Sequence, residues 1–339
     1  MRLTRAPIQD FCAGIYDGPH ATPAESSQGP VFLGIRNLTQ GGELDLTEIR
    51  HVSEDEYPKW TRRVVPRDGD VVFSYEATLH RYALIPDGFR GCLGRRVALV
   101  RPNPEKLDSR FLLYYFLSPA WRRIVDSNTV TGATVVRLPI ERFPSFEIEL
   151  PDLGSQQRIA EVLFNYDDLI ANNQRRITLL EEAARQLYRE WFVRLRFPGA
   201  EHTAVVDGLP EGWLERPLGE CVRFRSGGTP NKARGDYWEG DIPWASSGEL
   251  TQLRLHDTEL HVSPEGADVG SRMVPANTIL AVVRGMSLAR EFRLSMTARE
   301  MAFNQDLKAL ICQDGVDPFL LFFALLDRRE YIRDLATEA

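Results

Sequence analysis

Asp108-Ser109-Arg110-Phe111-Leu112-Leu113-Tyr114-Tyr115-Phe116-Leu117 returns later in the chain as Asp317-Pro318-Phe319-Leu320-Leu321-Phe322-Phe323-Ala324-Leu325-Leu326. Aromatic and leucine positions match once a single-residue deletion is allowed. Upstream, Val65-Pro66-Arg67-Asp68-Gly69-Asp70-Val71-Val72 aligns with Val274-Pro275-Ala276-Asn277-Thr278-Ile279-Leu280-Ala281. Gly18-Pro19-His20-Ala21-Thr22-Pro23 corresponds in the same way to Gly227-Gly228-Thr229-Pro230. Three matched blocks at offsets of about 207 to 209 indicate a duplicated domain. In each copy, short β-branched strands (71–74 and 96–100; 279–283 and 307–312) alternate with an apolar helix (108–126; 317–336) and Gly/Pro turns. That pattern predicts an α+β fold.

Between the copies, Ile159, Leu163, Tyr166, Ile170, Asn173, Ile177, Leu180, Ala184, Leu187 and Trp191 advance by alternating steps of four and three. This is the seam of a coiled coil, and it predicts a helix over 156–194 that pairs with another helix. At 1.5 Å per residue it would be roughly 58 Å long, the dimension of a spacer. Ser155 is the expected N-cap, and Phe197-Pro198-Gly199 ends the helix. Asn173 on the seam reads as a register device. The expected division is therefore a first domain over 1–153, a spacer helix over 154–196 and a second, incomplete copy over 197–339.

Length and charge bound the function. The 339 residues carry 41 Lys+Arg and 48 Asp+Glu, a formal charge of −7, and 43% hydrophobic residues, which suits two ordinary domains and excludes a disordered chain. Residues 1–150 hold 19 cations and 19 anions, 151–200 hold 7 and 7, and 201–339 hold 15 and 22, so the whole deficit lies in the last segment. Nucleic-acid binding would require cations concentrated locally. The longest apolar run, Phe319 to Leu326, is far too short to span a bilayer, and the first ten residues contain no apolar signal region. A cytoplasmic protein is expected. Cys12, Cys92, Cys221 and Cys312 form no C-x-x-C pair, which predicts reduced thiols and no metal site.

No phosphate loop, dinucleotide fingerprint, nucleophile elbow or H-E-x-x-H helix is present. Asn103-Pro104-Glu105 lacks the aromatic that would stack on a flipped base, and the histidines at 20, 51, 80, 202, 256 and 261 are scattered. The sequence offers no self-contained catalytic constellation.

Gly227-Gly228-Thr229-Pro230, followed by Tyr237-Trp238-Glu239-Gly240-Asp241-Ile242-Pro243-Trp244, closely resembles the start of a target-recognition domain in type I restriction-modification specificity subunits. Leu209-Pro210-Glu211-Gly212-Trp213 does so too. In the first copy, Thr131-Gly132-Ala133-Thr134, Leu138-Pro139, Leu150-Pro151 and Gln156-Gln157-Arg158-Ile159-Ala160 resemble that family's passage from recognition domain into spacer helix. The resemblance implies two target-recognition domains, each reading half of a bipartite sequence in double-stranded DNA, in a subunit with no active site or cofactor of its own. It further implies methyltransferase subunits and ATP-driven restriction/translocase subunits as partners. S-adenosylmethionine, ATP and Mg would reside in those partners.

Base readout calls for hydrogen-bonding side chains on loops. The first copy offers Arg36, Asn37, Ser74, Thr78, His80, Arg81, Arg95 and Arg96. The second offers Ser246, Ser247, Arg284, Ser287, Arg290, Asn304 and Gln305. By the repeat offset Ala339 corresponds to about Thr129, so a C-terminally truncated subunit lacking a second spacer helix is expected. Its seam would be covered by methyltransferase helices or by the same helix of a second copy. The alternative is a degenerate or half specificity subunit that binds methyltransferase as a scaffold, or pairs with itself as a half-reader.

Overall fold

Alternate residues of the strand Val71–Ser74 face two different cores. Val71 and Phe73 join one buried cluster and Val72 the other. Such period-2 alternation between two apolar faces requires a sheet covered on both sides. The computed structural model describes residues 3–130, 135–285 and 288–337, which form two units divided at Asn173/Gln174.

The first unit contains β1 (Thr4–Pro7), β2 (Cys12–Asp17), β3 (Ser26–Leu33), β4 (Arg50–His51), α1 (Tyr57–Trp60), β5 (Val71–Ser74), β6 (Tyr82–Leu84), β7 (Gly91–Leu93), β8 (Val97–Pro102), α2 (Ser109–Leu117), α3 (Pro119–Asn128) and β9 (Glu147–Leu150). Its main sheet has the order β2-β8-β5-β6, and a second sheet has the order β4-β3-β7, with β3 and β7 parallel. Phe73, Tyr82, Ala98 and Val100 pack with Phe116, Trp121 and Phe143 on one face of the main sheet. Leu33, Val72, Ala83, Val97 and Leu99 fill the other.

The second unit contains β10 (Val205–Val206) and β11 (Leu209–Pro210), then α5 (Leu218–Cys221), β12 (Val222–Ser226), β13 (Ile242–Ala245), β14 (Arg254–Leu255) and β15 (His261–Val262). It continues with α6 (Pro264–Gly270), β16 (Met273–Val274), β17 (Ile279–Val282), β18 (Leu294–Thr297), β19 (Met301–Phe303), β20 (Leu307–Cys312), α7 (Pro318–Asp327) and α8 (Arg329–Thr337). The main sheet runs β12-β20-β17-β18-β14 and the second β15-β13-β19-β16, again with one parallel pair, β13 and β19. The order 2-8-5-6 thus recurs as 12-20-17-18, and 4-3-7 as 15-13-19. The duplication extends from three sequence blocks to the strand order of both sheets. Asp108 and Asp317 even cap their helices alike, accepting from Phe111 N at 2.9 Å and Leu320 N at 2.8 Å.

Three boundaries differ from expectation. The single helix expected over 108–126 is two, α2 and α3. Pro119 has no N–H for an uninterrupted ladder, so Ser118 ends one helix and caps the next by accepting from Trp121 N at 3.3 Å. The counterpart expected over 317–336 is likewise divided, at Arg328. The spacer helix α4 (Leu153–Tyr188) begins before Ser155 and runs on into a π-helical turn, Arg189–Val193. Its first turn is capped by Asp152, whose Oδ1 accepts from Ser155 N at 3.0 Å.

All four cysteines are free. Burial pushes the Cys12 and Cys92 thiols up to about 12, far from the thiolate form at neutral pH. We expect both to react with a thiol reagent at pH 8 at least ~100-fold more slowly in the native than in the denatured chain. Equal rates, followed by mass spectrometry, would contradict this packing.

Candidate nucleic-acid interface

β3 and β7 are parallel, so both end at one edge of the first unit, where β5 also ends and β8 begins, with Ser74 paired to Val97. The connections leaving these strand ends are stitched together through their backbones. Gly94 N donates to Leu33 O (2.7 Å), Tyr75 N to Arg96 O (3.1 Å) and Gly18 N to Val97 O (2.9 Å). Gly18 lies so near this junction that a Cβ on it would meet Gly94 O at 2.3 Å. The second unit repeats the first two of these bonds, with Asn304 N donating to Ala245 O (2.9 Å) and Val283 N to Asp306 O (3.0 Å), while Gly228 N donates to Phe303 O (3.0 Å) at the end of β19. A Cβ on Gly227 would meet the carbonyl oxygens of both Phe303 and Asn304 at 2.3 Å. The paired glycines of the G-G-T-P motif therefore admit a close approach of backbones.

The structure brings the expected residues of each copy to that copy's edge. In the first unit Arg36 is exposed and 3.5 Å from Glu48, Thr78 and Arg95 are exposed, and Arg81 is half-buried. His80 Nε2 lies 2.8 Å from Asp126 Oδ1, and Arg96 Nε 3.2 Å from Glu76 Oε1. In the second unit Arg284 and Arg290 are exposed, Ser246 and Ser247 half-buried, and Gln305 accepts from Thr229 Oγ1 at 2.6 Å. Ser287 and Thr131–Thr134 lie outside the described residues.

Two asparagines are reassigned. Asn37 is 3% exposed. Its Oδ1 accepts from Gly34 N while its Nδ2 donates to Asp45 O and Glu48 O, so it braces its own loop. Asn304, 6% exposed, accepts from Asp306 N and donates to Asp306 Oδ2. Asn37 has both amide donors engaged, and burial turns both side chains away from the surface that a base edge would meet. Ser74 is also buried, but its Oγ has no hydrogen-bond partner among the described residues.

Sequence reasoning missed a cluster on the same edge. Asp17 joins Arg63 (2.6 Å) and His20 (3.1 Å), whose ring meets Tyr75 edge-on at 6.5 Å. Burial, reinforced by Asp17 and Glu76, pushes the Tyr75 phenol up to about 12, so it stays a neutral donor. Among the described residues no group of three or more His, Cys, Asp and Glu is placed to hold a metal, and no helix is long and apolar enough to cross a membrane.

The seam of α4 is not one uniform surface. Ile159, with Gln156 and Ala160, packs into the core of the first unit. Ala184, Leu187 and Trp191 line an apolar groove with Phe319, Leu320 and Phe323 of α7 in the second. Its middle positions, Tyr166, Ile170, Ile177 and Leu180, are each more than half exposed, and Leu163 and Asn173 are exposed as well.

Residues 31–182 match the type I restriction modification DNA specificity domain. Over that span the chain is similar to type I restriction-modification specificity subunits. It is similar to the type I restriction enzyme MjaIX specificity subunit of Methanocaldococcus jannaschii, 24% identical over 276 residues, which covers 76% of this chain and 59% of that protein. The type I restriction enzyme EcoR124I/EcoR124II specificity subunit of Escherichia coli is 31% identical over 109 residues, 31% of this chain and 27% of the relative. The chain thus spans less than two thirds of the length of either relative. The crystal structure of a type I restriction-modification system S subunit from M. genitalium has the same fold, with a TM-score of 0.58 at 16% identity, covering all of this chain and 79% of that one.

Proposed function

We propose that this chain is a non-catalytic DNA-reading subunit of a cytoplasmic type I restriction-modification complex. Each unit contacts one half of a bipartite site in double-stranded DNA. The observation that carries the reading is the repetition of one edge: equivalent loops on equivalent strand ends, carrying Arg36, Thr78, His80, Arg81, Arg95 and Arg96 in one copy and Ser246, Ser247, Arg284, Arg290 and Gln305 in the other. Two similar readers joined by a helix suit two half-sites separated by a gap. The first unit, with balanced charge over 1–150, gathers arginines at its edge and so meets the need for local cations.

Methyltransferase subunits and restriction/translocase subunits are the partners this function requires, and S-adenosylmethionine, ATP and Mg belong to them. The exposed middle of the α4 seam is the surface that methyltransferase helices, or a second copy, would cover. Arg81→Ala and Arg284→Ala are each expected to weaken binding to the cognate duplex by about 1–3 kcal/mol while leaving methyltransferase assembly intact. Titration by fluorescence anisotropy at fixed salt measures this, and unchanged affinity in both variants would overturn the assignment of the edges.

A further inference from the structure

The reading edge of the first unit holds strain and unmet hydrogen-bonding capacity at one spot. Ala77, His80 and Arg96 adopt left-handed backbone conformations, with φ of 68°, 59° and 72°. Such conformations are costly for residues other than glycine and persist where the surroundings enforce them. Arg96 sits in the turn from β7 to β8, closed by Val97 N donating to Gly94 O at 3.3 Å and pinned by Tyr75 N on its carbonyl. Beside it, among the described residues, lie buried polar atoms without hydrogen-bond partners: Ser74 Oγ, Tyr75 Oη and Arg96 Nε. Trp60 Nε1 and Arg185 Nε are the others among the described residues. Native proteins leave few such groups unmet, and strain and unmet polar groups concentrate at sites awaiting a partner.

Glu76 determines where Arg96 points. Its carboxylate stands 3.2 Å from Arg96 Nε, an ion pair without hydrogen-bond alignment, and both side chains are largely withdrawn from solvent. The backbone of Glu76 is fixed in turn by a bridge to Arg137 and by Thr78 N donating to its carbonyl. Contact on the Nε side leaves Nη1 and Nη2 as a two-pronged donor, and among the described residues no hydrogen bond engages either. Guanine presents the matching pair of acceptors, O6 and N7, in the major groove.

We infer that Arg96, aimed by Glu76, reads a guanine in the half-site contacted by the first unit, with Glu76 as the positioning residue. The inference rests on the DNA-reading function proposed above. It does not extend to the second unit, where the backbone bond from Val283 N identifies Asp306 as the residue equivalent to Arg96. A carboxylate has no donors to offer guanine, so this contact is not repeated at the equivalent position of the second edge.

Selection from a random duplex library with the full-length chain tests this. Wild type enriches a bipartite motif with guanine at one fixed position of one half. Arg96→Lys and Glu76→Gln reduce that preference about ten-fold or more while the other half is enriched unchanged. Glu76→Asp restores part of it. Arg96→Gly removes the guanidinium yet relieves the left-handed strain, so it melts no lower than wild type and still loses the guanine. Variants that leave the preference intact, or that weaken binding equally at every position as loss of a phosphate contact would, overturn the inference. A wild-type chain that enriches no motif overturns instead the DNA-reading function beneath it.

Discussion

Trp121→Ala lowers the stability of the first unit by about 3–5 kcal/mol, the range for truncating a large aromatic residue in a close-packed core. Trp121 is fully buried, stacks on Phe116 at 4.5 Å between ring centres, and meets Phe143 edge-on at 5.6 Å. Its Nε1 donates to Tyr82 Oη at 3.1 Å. Truncation therefore opens a ring-sized cavity and also strips a partner from a buried hydroxyl, and the second loss adds to the first. The consequence for function follows from where Tyr82 sits. It is the first residue of β6, directly after the loop that carries Thr78, His80 and Arg81, and its hydroxyl lies 3.4 Å from His80 Nδ1. Loosening Tyr82 should blur the half-site of the first unit before the unit unfolds. Urea denaturation followed by far-ultraviolet circular dichroism measures the loss, and a decrease below about 1 kcal/mol would mean that the aromatic cluster is not packed as described.

The duplication and the spacer helix were readable because each rests on local pattern. The β-branched runs at 71–74 and 279–282, the repeated block opening at Asp108 and Asp317, and the apolar residues stepping by four and three are all visible in the sequence. Pro119 carried the signal for the break between α2 and α3, and Asp152 was as good a cap as Ser155, so those errors came from weighing local signals wrongly. The reading edge is different in kind. Nothing in the letters around Asn37 says that its amide turns inward, because it is claimed by backbone groups up to eleven residues away. The left-handed turn at Arg96 is imposed by Tyr75, twenty-one positions earlier. The seam was legible as an apolar face, but sequence periodicity cannot say that its first position serves the core of one unit and its last three a groove in the other.

Gln156→Leu is expected to destabilise the junction between α4 and the core of the first unit by about 3–5 kcal/mol, even though the substitution conserves volume and adds apolar surface. Gln156 is 1% exposed. Its Oε1 accepts from Asp108 N at 3.0 Å, and its Nε2 donates to Lys106 O at 3.1 Å and Pro151 O at 2.9 Å. One side chain thus satisfies a donor and two acceptors of the backbone, at the cap of α2 and at the start of α4. Leucine leaves all three unmet at about 1–3 kcal/mol each, less whatever water can reach them. Neighbouring contacts, Tyr114 Oη on Asp167 at 2.7 Å and Arg110 over the Phe164 ring at 4.0 Å, lie at the surface and cannot replace a buried amide. The first turns of α4 should then loosen from α2, seen as faster amide exchange over 153–167, and Gln156→Glu, which sets a buried carboxylate oxygen against the carbonyls of Lys106 and Pro151, should be no milder. Under the proposed DNA-reading function, the leucine variant would lose discrimination between bipartite sites of different gap length, although each half-site is still read. Protected amides over 153–167 and unaltered gap preference in Gln156→Leu would show that the helix is anchored by apolar packing alone.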